Sequence, residues 1–203
     1  MIEALLNSYS AFNGHQRLAT GTLRDVAIAT KDTLDREPNA SFLIFHDATG
    51  RQAEVDLRGT LDDVLARLSA DAPVATAPKP EEEAPRGPGR PKLGVVAREV
   101  TLLPRQWEWL NSQPGGASVA LRKLVDEARR KNEAKDRQRV LQETVDRILL
   151  VLAGDLPKYE DALRAFYAKD QMRFETAIAN WPKDVRDHVS RIIEAGNPDY
   201  WVQ

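Results

Sequence analysis

The apolar positions of this chain switch between strand and helix periods along its length. Residues 10–21 (SAFNGHQRLATG) read as a strand ending at Gly21. From Leu23 the period becomes helical. Leu23, Val26, Ala27, Thr30 and Leu34 fall near one face, and Thr22 stands where a hydroxyl caps a helix. Residues 41–57 (SFLIFHDATGRQAEVDL) return to strand character. A first arm rich in aromatic and β-branched residues meets a turn at residues 47–50, and a second arm alternates through Ala53, Val55 and Leu57. Thr60 then caps a helix with Asp62 and Asp63 in its first turn and Leu61, Val64, Leu65 and Leu68 as its stripe. The predicted order over residues 1–72 is β-α-β-β-α.

The period is lost between residues 73 and 94. Six of the twelve prolines fall between Pro73 and Pro91, beside the triplet Glu81-Glu82-Glu83. Such a stretch buries too little apolar surface to offset its ordering entropy, so a disordered, partly extended linker is expected. Residues 99–104 then form a short β-type run, and Pro104 suits a first helical position. A helix is predicted over 105–113, with Leu103, Trp107 and Leu110 in register, and Pro114-Gly115-Gly116 ends it. Ser118 is placed to cap the next helix, whose stripe is Leu121, Leu124, Val125 and Ala128. That helix can run on through 130–139 into a second stripe, Val140, Leu141, Val145, Ile148, Leu149 and Leu152. Gly154 and Pro157 stop it. Three further helices follow. The first carries Tyr159, Leu163, Phe166 and Tyr167. The second is capped by Asp170 and carries Phe174, Ile178 and Trp181. The last is opened by Pro182 and carries Val185, Val189, Ile192 and Ile193. The fold class is therefore α+β: an α+β domain at 1–72, a linker at 73–94, and a strand-helix-helix segment running into a helical bundle at 95–203.

Charge adds a division that hydropathy does not show. The chain as a whole carries net −2, yet residues 86–139 hold 13 Lys/Arg against 6 Asp/Glu, net +7. Residues 1–72 hold 7 against 11, and residues 140–203 hold 8 against 11. A basic segment between acidic flanks points to an anionic partner. The absence of cysteine excludes disulfides and thiolate metal sites and fits a cytoplasmic protein. Residues 1–10 have no signal-peptide pattern, and no apolar run approaches the ~20 residues that cross a bilayer. His15, His46 and His188 lie in separate segments, each expected in a strand, turn or helix surface, and none stands at metal-ligand spacing. Asp184, Asp187 and His188 are neighbours on one helix, but a solvated helix start accounts for the two aspartates. No nucleophile elbow, phosphate loop or dinucleotide fingerprint occurs. The expectation is a protein that is not an enzyme, uses no cofactor and binds no evident small-molecule substrate.

The basic segment offers two resemblances. Gly89-Arg90-Pro91-Lys92, with Arg86 upstream, resembles an AT-hook, an extended arm that presses an Arg into the narrow minor groove of A·T-rich DNA. Pro88 stands where such hooks carry an Arg before the Gly. Residues 98–130 (REVTLLPRQWEWLNSQPGGASVALRKLVDEARR) resemble the ribbon-helix-helix family, whose paired strands enter the major groove from an intertwined dimer. That resemblance implies a homodimer. The candidate DNA-binding residues are Arg86, Arg90, Lys92, Arg98, Thr101, Arg105, Arg122 and Lys123. Two strand registers are open. One turns Arg98, Val100 and Leu102 outward; the other presents Glu99 and Thr101, whose carboxylate repels phosphates but accepts from cytosine. The alternative is a protein-interaction or dimerisation module whose basic segment meets an acidic surface. Beyond these, GDLPKYEDALRAFYAKD, WPKDVRDH and FHDATGRQAEVDLRG resemble an uncharacterised family of conserved bacterial proteins, which implies a bacterial source and no particular activity.

Overall fold

A computed structural model describes residues 5–71, 96 and 98–202. The chain clusters into two compact units, residues 1–72 with 134–203, and residues 73–133. The described residues form one four-stranded antiparallel sheet and seven helices, an α+β protein. The expected linker at 73–94 lies outside the described residues.

The first unit begins with a hairpin where a single strand was expected. Strands β1 (Tyr9–Asn13) and β2 (Gln16–Gly21) pair antiparallel, with Asn13 opposite Gln16. Gly14 turns the corner at φ +56, in the left-handed region that a residue without Cβ enters freely. Helix α1 (Leu23–Arg36) follows at Thr22, whose hydroxyl accepts from the Asp25 amide while the Asp25 carboxylate accepts from the Thr22 amide. This reciprocal cap satisfies two donors that the helix itself leaves without partners. Strand β3 (Phe42–His46) lies beside β1, and β4 (Arg51–Gln52) lies outside it, giving the order β2-β1-β3-β4.

The second arm of the predicted hairpin is cut short. β4 is only Arg51–Gln52, and the pairing ends with the Ala53 amide donating to Ile44. Ala53 and Val55 still pack inward, against Ala11, Val26 and Ile44. The alternation in the sequence therefore records burial rather than a hydrogen-bonded ladder. Thr60 and Asp63 repeat the reciprocal cap at helix α2 (Leu61–Asp71).

The two faces of the sheet divide the core. Ala11 and Ile44, opposite one another, face Val26 of α1. Phe12 and Phe45 face the other way and join Leu141, Val145, Ile148, Leu149, Phe166 and Ile192. Residues 1–72, read from the sequence as a domain of their own, thus share one core with the C-terminal helices. Each fully buried Leu, Ile or Phe there contributes roughly 1.5–3 kcal/mol.

Those helices follow helix α3 (Pro104–Ser112) in the chain. Helix α4 (Gly116–Ala153) is continuous, so the predicted run-on through 130–139 is present; Ser118 lies inside it rather than capping it. Helices α5 (Tyr159–Tyr167), α6 (Gln171–Ile178) and α7 (Lys183–Gly196) complete the first unit. Asp170 caps α6 by accepting from the Arg173 amide at 3.0 Å. Past α7, Tyr200 is buried, stacks on Phe166 at 4.8 Å and donates to the Phe166 carbonyl. Among the described residues, no helix is long and apolar enough to cross a membrane.

Candidate nucleic-acid interface

The short β-type run expected at residues 99–104 is not a strand in this chain. A β-strand exists only against a partner that takes its amides and carbonyls, and no second strand occurs in this unit among the described residues. Pro104 occupies the first helical position of α3, where its missing N–H costs nothing. The Leu103 amide just before it donates to the Gln106 side chain at 2.8 Å. Gly115 and Gly116 turn the chain into α4 at φ +86 and +75. A side chain on Gly115 would press on Val119.

This unit buries little of its own apolar stripe. Leu110 and Ala120 are buried, but Val100, Leu103, Trp109, Leu124 and Val125 are between 42% and 55% exposed. Trp107, in register with Leu103 and Leu110, is itself 36% exposed. Leu102 is the half-buried residue of the extended stretch, while Thr101 and Leu103 are exposed.

The five described candidates for DNA contact all belong to this unit. Arg98 and Thr101 stand on the extended approach to α3, Arg105 in its first turn, and Arg122 with Lys123 on the second turn of α4. All five are exposed. Among the described residues, no carboxylate lies within ion-pair distance of Arg98, Arg105, Arg122 or Lys123. Their guanidinium and ammonium groups are thus open to phosphate oxygens. Arg86, Arg90 and Lys92 lie outside the described residues.

A second polar cluster, which no local pattern announced, sits between the sheet and α7. Asp47 is fully buried, and its Oδ2 accepts from Ser8 Oγ at 2.6 Å, Ser10 Oγ at 3.3 Å and Arg191 Nη2 at 2.8 Å. Arg191 also donates to Ser10 Oγ and stands 3.2 Å from His188 Nδ1. His188, expected on a helix surface, is instead buried edge-on against Phe12, with ring centroids 5.0 Å apart. Burial holds its pKa down to about 4; the Arg191 and Arg17 charges act in the same direction and the Asp47 carboxylate opposes them. The arrangement binds the sheet to α7. Asp47 reads as a turn residue in the sequence and Arg191 as one more exposed helical cation, so nothing local links them. Asp184, taken above for a solvated helix start, accepts from the Arg17 amide at 2.9 Å and so closes part of the β2 edge.

Among the described residues, no group of three His, Asp or Glu side chains could hold a metal ion. The profile of a family described as an uncharacterized protein conserved in bacteria (DUF2239) matches residues 8–193. No curated protein and no solved structure matches.

Proposed function

This chain belongs to that family of uncharacterized proteins conserved in bacteria, and within it we propose a non-enzymatic DNA-binding protein that acts as a homodimer through residues 98–130. The observation that carries this reading is the composition of the surface on α3 and the start of α4. An apolar stripe of Val100, Leu103, Trp107, Leu124 and Val125 is left exposed in the same unit as four cations that have no carboxylate partner among the described residues. A second copy covers such a stripe and supplies the strand that residues 98–103 lack. The half-burial of Leu102 favours the register that turns Thr101 and Glu99 outward. Arg105, Arg122 and Lys123 then contact phosphates, Arg98 orients the strand, and the arm around Arg90 follows the minor groove of A·T-rich DNA. The absence of cysteine supports action in the reducing cytoplasm.

Fluorescence anisotropy with A·T-rich and G·C-rich duplexes over a salt series tests this reading. Binding is expected to weaken steeply with salt, because each phosphate contact releases counterions. Arg122→Ala with Lys123→Ala lowers affinity for both duplexes, and Arg90→Ala removes the A·T preference. No binding at low salt sinks the proposal. The uncovered stripe also supports a second reading, a dimerisation module that holds another protein. A dimer in light scattering that ignores both duplexes would select it.

A further inference from the structure

Helices α5 and α6 leave between them an open recess of about 520 Å³ on the first unit. Its floor is made of small side chains, Ala165, Ala168 and Ala177, and its rim carries Lys158, Arg164 and Arg173 against a single carboxylate, Asp161. Asp161 is 3.1 Å from Arg164, and Arg173 lies 4.0 Å from Asp170. Lys158 faces no carboxylate at ion-pair distance among the described residues. Met172, on the lip, is 79% exposed, more than any other large apolar side chain among the described residues.

The charge of this lining runs against its surroundings. Residues 1–72 and 134–203 together hold 18 Lys/Arg and 23 Asp/Glu, net −5, whereas the recess lining holds three cations and one anion, net +2. A positive rim over an apolar floor selects a partner with both characters. We propose that the recess docks an acidic amphipathic helix of another protein. Its carboxylates meet Lys158, Arg164 and Arg173, and its apolar side chains enter over the alanines, where the absence of bulk admits close approach. The unbranched Met172 thioether adapts to their shape. An extended peptide is disfavoured because no free sheet edge borders the recess to take its backbone groups, whereas a helix satisfies its own. Nucleic acid is disfavoured because a sugar-phosphate backbone has no use for an alanine floor. This proposal does not rest on the DNA reading, since none of its residues lies in the second unit.

The test uses the full chain and two fluorescent helical peptides with the same leucine stripe, one flanked by glutamate and one by lysine. The glutamate peptide is expected to bind and the lysine peptide to stay free. Arg164→Glu with Arg173→Glu is expected to weaken binding by ~tenfold or more by reversing charges that face the partner. Ala168→Leu, which fills the exposed floor without touching charge, is expected to weaken it while leaving the melting temperature in place. No binding of the glutamate peptide, or binding unchanged by both variants, overturns the proposal. Duplex DNA that binds through Arg164 and Arg173 while the glutamate peptide does not would overturn it in favour of nucleic acid.

Discussion

Arg191 on the last helix donates to Asp47 in the β3–β4 turn at 2.8 Å, across 144 residues of chain. Asp47 is wholly buried, and Ser8 and Ser10 share the same carboxylate oxygen. The contact fastens the turn of the sheet to α7 by charge as well as by packing.

Removing one side of this pair is expected to cost far more than removing both. Arg191→Met leaves a buried carboxylate without its counter-charge, a loss of about 3 kcal/mol. Adding Asp47→Leu recovers most of that loss, because the desolvated charge disappears with its partner. Urea denaturation of the single and double variants checks this, and equal stabilities for wild type and Arg191→Met would refute it.

His188 gives the fold a defined acid sensitivity. Its pKa is lowered from 6.5 to about 4 by burial, so the folded state binds its proton more weakly than the unfolded state does. Its stabilising contribution is complete above pH 6.5 and erodes as the pH falls from there towards 4, by up to roughly 3 kcal/mol. His188→Leu should flatten the stability profile in that window. Chemical denaturation at a series of pH values reads the slope directly.

Gly50 adopts φ +64, and a methyl group there would overlap the Thr144 carbonyl of α4. Gly50→Ala therefore combines a disfavoured backbone with a steric collision and is expected to destabilise the fold by about 2 kcal/mol or more. Gly14, also at positive φ, has open space around its Cβ position. Gly14→Ala should cost distinctly less, and thermal melts of the two variants separate the steric part from the conformational part.

Leu124 and Val125 are 42% and 55% exposed on the stripe assigned to a second copy. Leu124→Glu with Val125→Glu should yield a monomer in light scattering with helical circular dichroism unchanged. A wild-type chain that is already monomeric at micromolar concentration would contradict the dimer.

Local chemistry made much of the fold legible in the sequence. Thr22, Thr60 and Asp170 announce their helices because a capping side chain sits within three residues of the amide it serves. The stripe from Leu141 to Leu152 was equally plain, since its period alone defines a buried face. The β1–β2 hairpin was missed although Asn13-Gly14 is a turn signal, because the small and polar residues around it mask the alternation. The long-range facts were out of reach. Nothing near Phe12 or Phe45 says that their partners are Ile148 and Ile192, and nothing near Asp47 names Arg191. The basic candidates were legible as charge, and the apolar residues beside them showed their exposure only once the helices were placed.

Because residues 1–72 and 134–203 share one core, a cut between them should not part them. A chain carrying a specific protease site between residues 73 and 94 is expected, after cleavage, to elute as one species holding both fragments. Separation under native conditions would show that the shared core is weaker than its buried phenylalanines and leucines imply.

The contact between Ser10 and Arg191 spans 181 residues. On a ribosome adding ~5–20 residues per second, the first strand waits roughly 10–35 s for the helix that covers it. Until α4 and then α7 have been made, Phe12 and Phe45 lack the side chains that bury them in the finished core. Closing so distant a contact is also slow in its own right, because the loop entropy is lost before the packing is gained. The nascent chain therefore passes through a long period of stickiness that the finished molecule no longer displays.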